Sequence, residues 1–409
     1  MTLEDGISAM EQNRFADAET IFRHALSDGI NPEHSAQLLM LSLVLQNKIN
    51  DIHQMVVEDS NCFTYQKGLS GAIMKLTMQN NPGVVQHFAS QLAPNHVFLQ
   101  ALARLYFGFM TAASGDTDSA APWFQDAYTQ IFTAVPPLLL EDNLEQLFKA
   151  GWNMENDAYV LAQMDDADIN SQKDGLLISQ DILQHSSTED FVIYSSCDEK
   201  SIAKFVEGEV QSLDALGKPW IFHLNIIGGT EASAGKINAM RSRLKNITFN
   251  YSIENASALH STTYFACSRF INALTVMDIY QKDLLISDVN VTFNERLNQA
   301  SAVMEGHDVG YYFYNNIMPW LRHFSTEVYV KNNPAGRKYL RTLGNYCVKK
   351  LQTNRYWTLD QTAMFCIANA FDRTNQDVSI CNLLQLGANL YDVQIQMDVR
   401  ESSNQSRFD

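Results

Sequence analysis

Cysteine is scarce in this 409-residue chain and never placed where chemistry would need it paired. The six cysteines stand at 62, 197, 267, 347, 366 and 381. They form no Cys-x-x-Cys pair and have no histidine at zinc-ligand spacing, which points to reduced, buried thiols over disulfides or a structural metal. No stretch approaches the roughly 20 consecutive apolar residues that a membrane-spanning helix needs. The opening residues, MTLEDGISAMEQ, lack a basic segment followed by an apolar one, so a cytoplasmic protein without a membrane span is expected. Also missing are a nucleophile elbow, a Walker-type phosphate loop and a dinucleotide fingerprint. His223, His260, His307 and His323 form no visible constellation with Ser or Cys.

Positive charge is short as well, and unevenly so. Residues 1–170 hold 21 acidic but only 7 basic side chains, whereas residues 171–409 hold 25 and 22. A phosphate-rich polymer would be repelled by the first part, which excludes nucleic acid as the expected partner. With 46% hydrophobic residues, the chain has ample material for more than one core.

What is present first is a repeat. Gly6, Ala18, Phe22 and Ala25 follow steps of twelve, four and three, and Gly108, Ala120, Phe124 and Ala127 repeat those steps. Small residues let two helices approach closely, and the Phe fills the gap beside them. These are the residue types that tetratricopeptide repeats use at inter-helix contacts. The intervening segments 35–60 and 68–92 keep helical apolar spacing, with Asn80, Asn81, Pro82 and Gly83 as a break. Six or seven helices over 1–162, stacked as a short TPR-like solenoid, are expected. Such an array serves either as a concave face for a protein or peptide partner or as a packing platform for its own chain. Residues 163–189 are polar and read as a linker, and 401–409 as a polar tail.

From Asp190 the texture alternates. FVIYSS, WIFHLNII, NITFNYSIE and DLLISDVNVTF read as strands, separated by DEKSIAKFVEGEVQSLDAL, GKINAMRSRLK and TTYFACSRFINALTVMDIY as helices. This implies an α/β domain over 190–400 with a mostly parallel, Rossmann-like sheet. Ligands of such sheets sit beyond the carboxyl ends of the strands. Ser195, Ser196, Cys197 and Asp198 end the first strand, and Asp288 and Asn290 end the fourth.

The order strand–SCDE–helix, WIFHLNII, a helix with Arg269, then LLISDVNVTF resembles the GT-A fold of retaining glycosyltransferases, family 8 and its bacterial relatives fused to helical repeats. Gly306-His307-Asp308-Val309-Gly310, Pro319-Trp320, VYVKNNPAGRKYL and Trp357-Thr358-Leu359-Asp360-Gln361 follow in the family's order. The resemblance implies a nucleotide-sugar donor, UDP-linked before others, and an unknown protein or glycan acceptor. It implies that Asp288 orients the ribose or a cation, with Ser196 and Asp198 at the base or ribose. Arg269 would meet donor sugar or phosphate, and Asp360 and Gln361 the transferred sugar or acceptor. Mn²⁺ or Mg²⁺ would be held by Asp288 and Asn290, yet Asn290 stands where the family has a second Asp and supplies no charge. The residue types leave other roles open. Asp288 and Asn290 can close a turn, Asp198 can cap the next helix, Arg269 can be an ordinary ion-paired side chain, and Asp360 and Gln361 can cap theirs. Residues 328–359 carry Lys331, Arg337, Lys338, Arg341, Lys349, Lys350 and Arg355 and no acid. That run is a solvated helix face or, instead of a metal, a counter-charge for a diphosphate. A catalytically degenerate GT-A domain carried by an interaction scaffold is the rival reading.

Overall fold

The computed structural model describes residues 2–59, 62–78, 97–134, 142–165, 177–182, 189–254, 262–314, 316, 318–353, 356, 358–384 and 390–393. The break at Asn80–Gly83, Arg355, Trp357 and the tail lie outside them. Two units are formed, Met1–Asn156 with Asn315–Arg322, and Asp157–Tyr314 with His323–Asp409.

The first unit is helical: α1 (Leu3–Glu11), α2 (Phe15–Ser27), α3 (Pro32–Leu45), α4 (Ile49–His53), α5 (Cys62–Met78), α6 (Val97–Ala113), α7 (Thr117–Ala134) and α8 (Asp142–Trp152). Thr2 begins α1 with a reciprocal capping box to Asp5, and Asn13 and Asn47 take left-handed turns between helices. The two four-residue sets meet as their spacing implies. A Cβ on Gly6 would run into the Phe22 ring, and one on Gly108 would lie 2.9 Å from the Phe124 ring. Ala18, Phe22, Ala120, Phe124 and Ala127 are fully buried. Each glycine is thus a point of close helix approach within a helical hairpin. Residues Asn315–Arg322, inserted between two strands of the other unit, belong here. Trp320 packs its ring 5.6 Å from Phe109 and 5.9 Å from Phe124, so the Pro319-Trp320 pair is part of the helical core.

The second unit opens with α9 (Asp157–Ala162) and holds an eight-stranded sheet in the order β1-β4-β3-β2-β5-β8-β7-β9. The strands are β1 (Leu177–Asp181), β2 (Phe191–Asp198), β3 (Ile221–Ile227), β4 (Thr248–Glu254), β5 (Asp283–Ser287), β7 (Val309–Phe313), β8 (His323–Val330) and β9 (Ile380–Asn382), while β6 (Val291–Phe293) pairs separately with β10 (Tyr391–Val393). The sheet is mixed rather than mostly parallel. β4-β3-β2-β5 and β7-β9 are parallel, but β1-β4, β5-β8 and β8-β7 are antiparallel. Part of the segment read as linker is strand β1, and α9 begins before the boundary at 162. DLLISDVNVTF is two strands, broken at Asp288–Asn290 by a turn.

Side chains alternate between faces along each strand. Phe191, Ile193, Phe222, Leu224, Ile226, Phe249 and Tyr251 point to one face and join Val206, Val210, Leu213, Ile237 and Met240 in an apolar core. These last come from a π-helical turn (Ile202–Val206), α10 (Glu207–Ala215) and α11 (Glu231–Arg241). The other face is covered by α12 (Thr262–Ile271) and α13 (Ala273–Tyr280), and the chain continues through α14 (Pro334–Thr353) and α15 (Leu359–Arg373).

Candidate functional site

β2 and β5 are parallel neighbours, so their carboxyl ends lie side by side at the end of the sheet where ligands of such folds sit. Asp288 follows β5 there. Its amide donates to the Thr326 carbonyl at 2.9 Å, which ties the strand end to β8. Arg269, near the end of α12, comes to the same place and is only 3% exposed. Its Nη1 donates to Asp288 Oδ1. Its Nη2 donates to Ser325 Oγ at 3.2 Å and to Asp360 Oδ2 at 3.4 Å. Four elements, β5, β8, α12 and the first turn of α15, therefore converge on one guanidinium. The Arg269 Nε–H has no partner among the described residues.

Charge accounts for the geometry. Burial disfavours the Arg269 cation, but Asp288 and Asp360 outweigh it and raise the guanidinium pKa. Desolvation raises the Asp288 pKa against the pull of Arg269, with Asp360 adding to the rise. The Asp288 side chain remains 40% exposed and paired with the Arg269 guanidinium. Asp360 is buried, and the Oε1 of adjacent Gln361 is buried without a partner among the described residues.

The other expected residues sort differently. Ser196 Oγ lies 2.8 Å from Ser268 Oγ, next to Arg269 on α12. Asp198 caps the following turn, accepting from the Ser201 amide at 2.9 Å. Asp308 accepts from Asn333 and from the Ser379 amide. It sits where β7 begins, beside the amino end of β5, away from Asp288. Gly336 packs against the Lys331 carbonyl, and Arg337 pairs with Asp278.

A divalent cation does not fit this donor set. Asp288 Oδ1 already accepts from Arg269, and Asn290 adds a neutral amide. Among the described residues no three His, Cys, Asp or Glu side chains are grouped to hold a metal ion.

Sequence reasoning missed the polar face of the sheet. His223 bonds Ser252 Oγ at 3.1 Å and Tyr280 Oη at 2.9 Å. Asn225 bonds Ser252 at 2.8 Å and Glu254 at 2.7 Å. Burial depresses the His223 pKa to about 3. On the opposite face, Glu209 of α10 accepts from Ser195 Oγ at 3.0 Å, and burial raises its pKa well above the ordinary value. The signal was available: β3 and β4 place polar residues at every second position in matching register.

No family model matches the chain, and no curated protein matches it. Among solved structures the chain is similar to the crystal structure of mouse xyloside xylosyltransferase 1 in its apo form, at 12% identity and a TM-score of 0.34, over 48% of this chain and 85% of the other.

Proposed function

We propose that this protein is a nucleotide-sugar-dependent glycosyltransferase whose donor site is built at Arg269, Asp288 and Asp360, with a TPR-like helical unit for an acceptor or partner. The observation that carries the reading is the meeting of these three side chains beyond the carboxyl ends of parallel strands. They stand at 269, 288 and 360 in sequence and were picked out by the same motif order. Among the described residues Arg269 Nε–H and Gln361 Oε1 have no partner, so a buried donor and a buried acceptor stand with the trio.

In the transfer, the bond from the anomeric carbon to the diphosphate oxygen breaks, and its electron pair leaves on that oxygen. The acceptor hydroxyl oxygen bonds to the same carbon, and its proton passes to the departing phosphate. Arg269 would stabilise the growing negative charge, while Asp360 and Gln361 would orient sugar hydroxyls. No step is assigned to a metal, because the donor set does not suit one.

Thermal stabilisation by UDP, GDP, CMP and their sugar conjugates, with Mn²⁺, Mg²⁺ or EDTA, tests this reading. A melting point raised by one nucleotide-sugar, insensitive to EDTA and abolished in Asp288→Ala, is expected. No shift with any of them at millimolar concentration would sink it. One observation favours a second reading. Arg269 is paired with two acids, leaving the trio net negative, as suits a domain that keeps the fold but binds without turnover. Nucleotide binding without sugar transfer would decide for that.

A further inference from the structure

The face of the sheet beneath α12 is a directional chain of hydrogen bonds, and its direction can be worked out from donor chemistry. Asn225 Nδ2 donates to Glu254 at 2.7 Å, so Asn225 Oδ1 is the acceptor for Ser252 Oγ at 2.8 Å. The Ser252 hydroxyl has then given its proton and must accept from His223 Nε2. That leaves His223 Nδ1 to accept from the Tyr280 hydroxyl, which in turn accepts from Asn250 Nδ2 at 2.9 Å. Every donor therefore points one way, and the chain ends on Glu254.

Glu254 is fully buried and collects two further donors, Tyr264 Oη and, at 3.0 Å, Asn272 Nδ2. Tyr264, Ser268 and Asn272 recur at four-residue spacing, one face of a helix. Ser268 meets Ser196 on the same face. α12 is thus seated on the sheet by polar contacts where apolar side chains would be the cheaper choice. A helix on an apolar surface can slide by fractions of an ångström with little loss, whereas a satisfied hydrogen-bond network holds only in one register. Arg269 follows Ser268 directly, so that register decides where the guanidinium lies.

We propose that Glu254 is a positioning residue for Arg269: a carboxyl group at the carboxyl end of β4 that fixes α12 so that Arg269 reaches Asp288 and Asp360 together. Burial raises the Glu254 pKa, and the hydrogen bonds from Tyr264, Asn225 and Asn272 oppose the rise. The proposal rests on the donor-site reading for its consequence, but its geometry can be tested without any ligand.

The test is nuclear magnetic resonance of the Arg269 guanidinium in full-length protein at low temperature, assigned by its loss in Arg269→Lys. In the parent, buried and doubly paired Nη protons should exchange slowly and appear as resolved signals. In Glu254→Gln those signals should vanish while circular dichroism stays unchanged. In Glu254→Gln/Asn272→Asp they should return, because the carboxylate is restored across the same contact. The amide introduced on β4 can accept from Asn225 and donate to the carboxylate introduced on the helix side. The same three proteins are titrated with UDP-glucose as probe. A loss of roughly tenfold to a hundredfold in affinity in the single variant, recovered in the double, is the scale expected for a misplaced site residue. Unchanged guanidinium signals in folded Glu254→Gln would overturn the proposal. So would a folded double variant that fails to restore them, which keeps the test decisive if the single variant does not fold. No binding of any nucleotide probe by the parent would instead count against the donor-site reading and leave the guanidinium result standing.

Discussion

The two faces of the central sheet are built from the same strands in the same register, and they are opposites. One presents Phe191, Ile193, Phe222, Leu224, Ile226 and Phe249 to α10 and α11. The other presents Ser196, His223, Asn225, Asn250, Ser252 and Glu254, all but Ser196 fully buried, largely against α12 and α13. The apolar face stabilises without direction, since any well-filled packing excludes water equally well. The polar face contributes little net energy but tolerates one arrangement only. The difference teaches where precision is wanted: the helix that carries Arg269 is seated on the polar side.

The comparison breaks most visibly on deletion of a large side chain from the apolar face. Phe222→Ala, at a fully buried position, should cost about 3–5 kcal/mol in chemical unfolding. The loss should be the same at pH 7 and pH 5, because the Phe222 ring packs edge-on against the ring of Phe249, which has no proton to exchange. A pH-dependent loss would mean that this packing is coupled to a titrating group, Glu209 on the same side or His223 on the other.

The polar face should respond to pH instead. His223 has its pKa lowered from 6.5 to about 3 by burial. Below pH 6.5 the unfolded chain binds a proton that the folded one refuses, so stability falls as pH falls. The slope is about 1.4 kcal/mol per pH unit, or roughly 3 kcal/mol between pH 6.5 and 4.5. His223→Gln keeps an N–H for Ser252 and does not titrate. Urea unfolding at several pH values should show its stability crossing above the parent's as acid is added, and parallel curves would reject the assignment. A smaller effect is expected from Ser252→Ala, which removes the link between His223 and Asn225. It should cost about 1–3 kcal/mol and shift the imidazole nitrogen resonances of His223, a signature that no apolar-face variant shares.

Much of this organisation is legible in sequence. Helical spacing places Gly6 against Phe22 and Gly108 against Phe124, because close approach demands a small residue opposite a ring. Strand–helix alternation locates the ends of β2 and β5, and the motif order selects Arg269, Asp288 and Asp360, which do meet. The antiparallel flanks are not legible, since β8 and β1 join the sheet through long-range register that no local pattern encodes. Trp320 reads with the α/β domain because a Pro-Trp pair carries no mark of which core it enters. The polar face is hidden by its own burial. WIFHLNII is enclosed along its whole length, so it looks like an apolar run, and only alignment with NYSIE reveals His223 and Asn225 standing beside Asn250 and Ser252.

Glu209 is an exception that sharpens the comparison, a carboxyl that intrudes on the apolar side. It is fully buried, accepts one hydrogen bond from Ser195, and leaves Oε2 without a partner among the described residues. Burial raises its pKa well above 4.5, the Ser195 bond opposes the shift, and the charge of Asp288 adds to it. A raised carboxyl pKa means the folded state holds its proton more tightly. The associated stability is present below 4.5 and is lost as pH rises toward the folded value. Glu209→Gln retains an acceptor for Ser195 and has no proton to lose, so it should match the parent at pH 5 and exceed it at pH 8. One polar atom stays unpaired in either protein, so the difference between them at pH 8 comes from the carboxyl's proton alone. Urea unfolding at both pH values measures it. A variant less stable than the parent at pH 8 would mean that Glu209 works as an anion there, and the apolar face would then share the ionic character of the polar one.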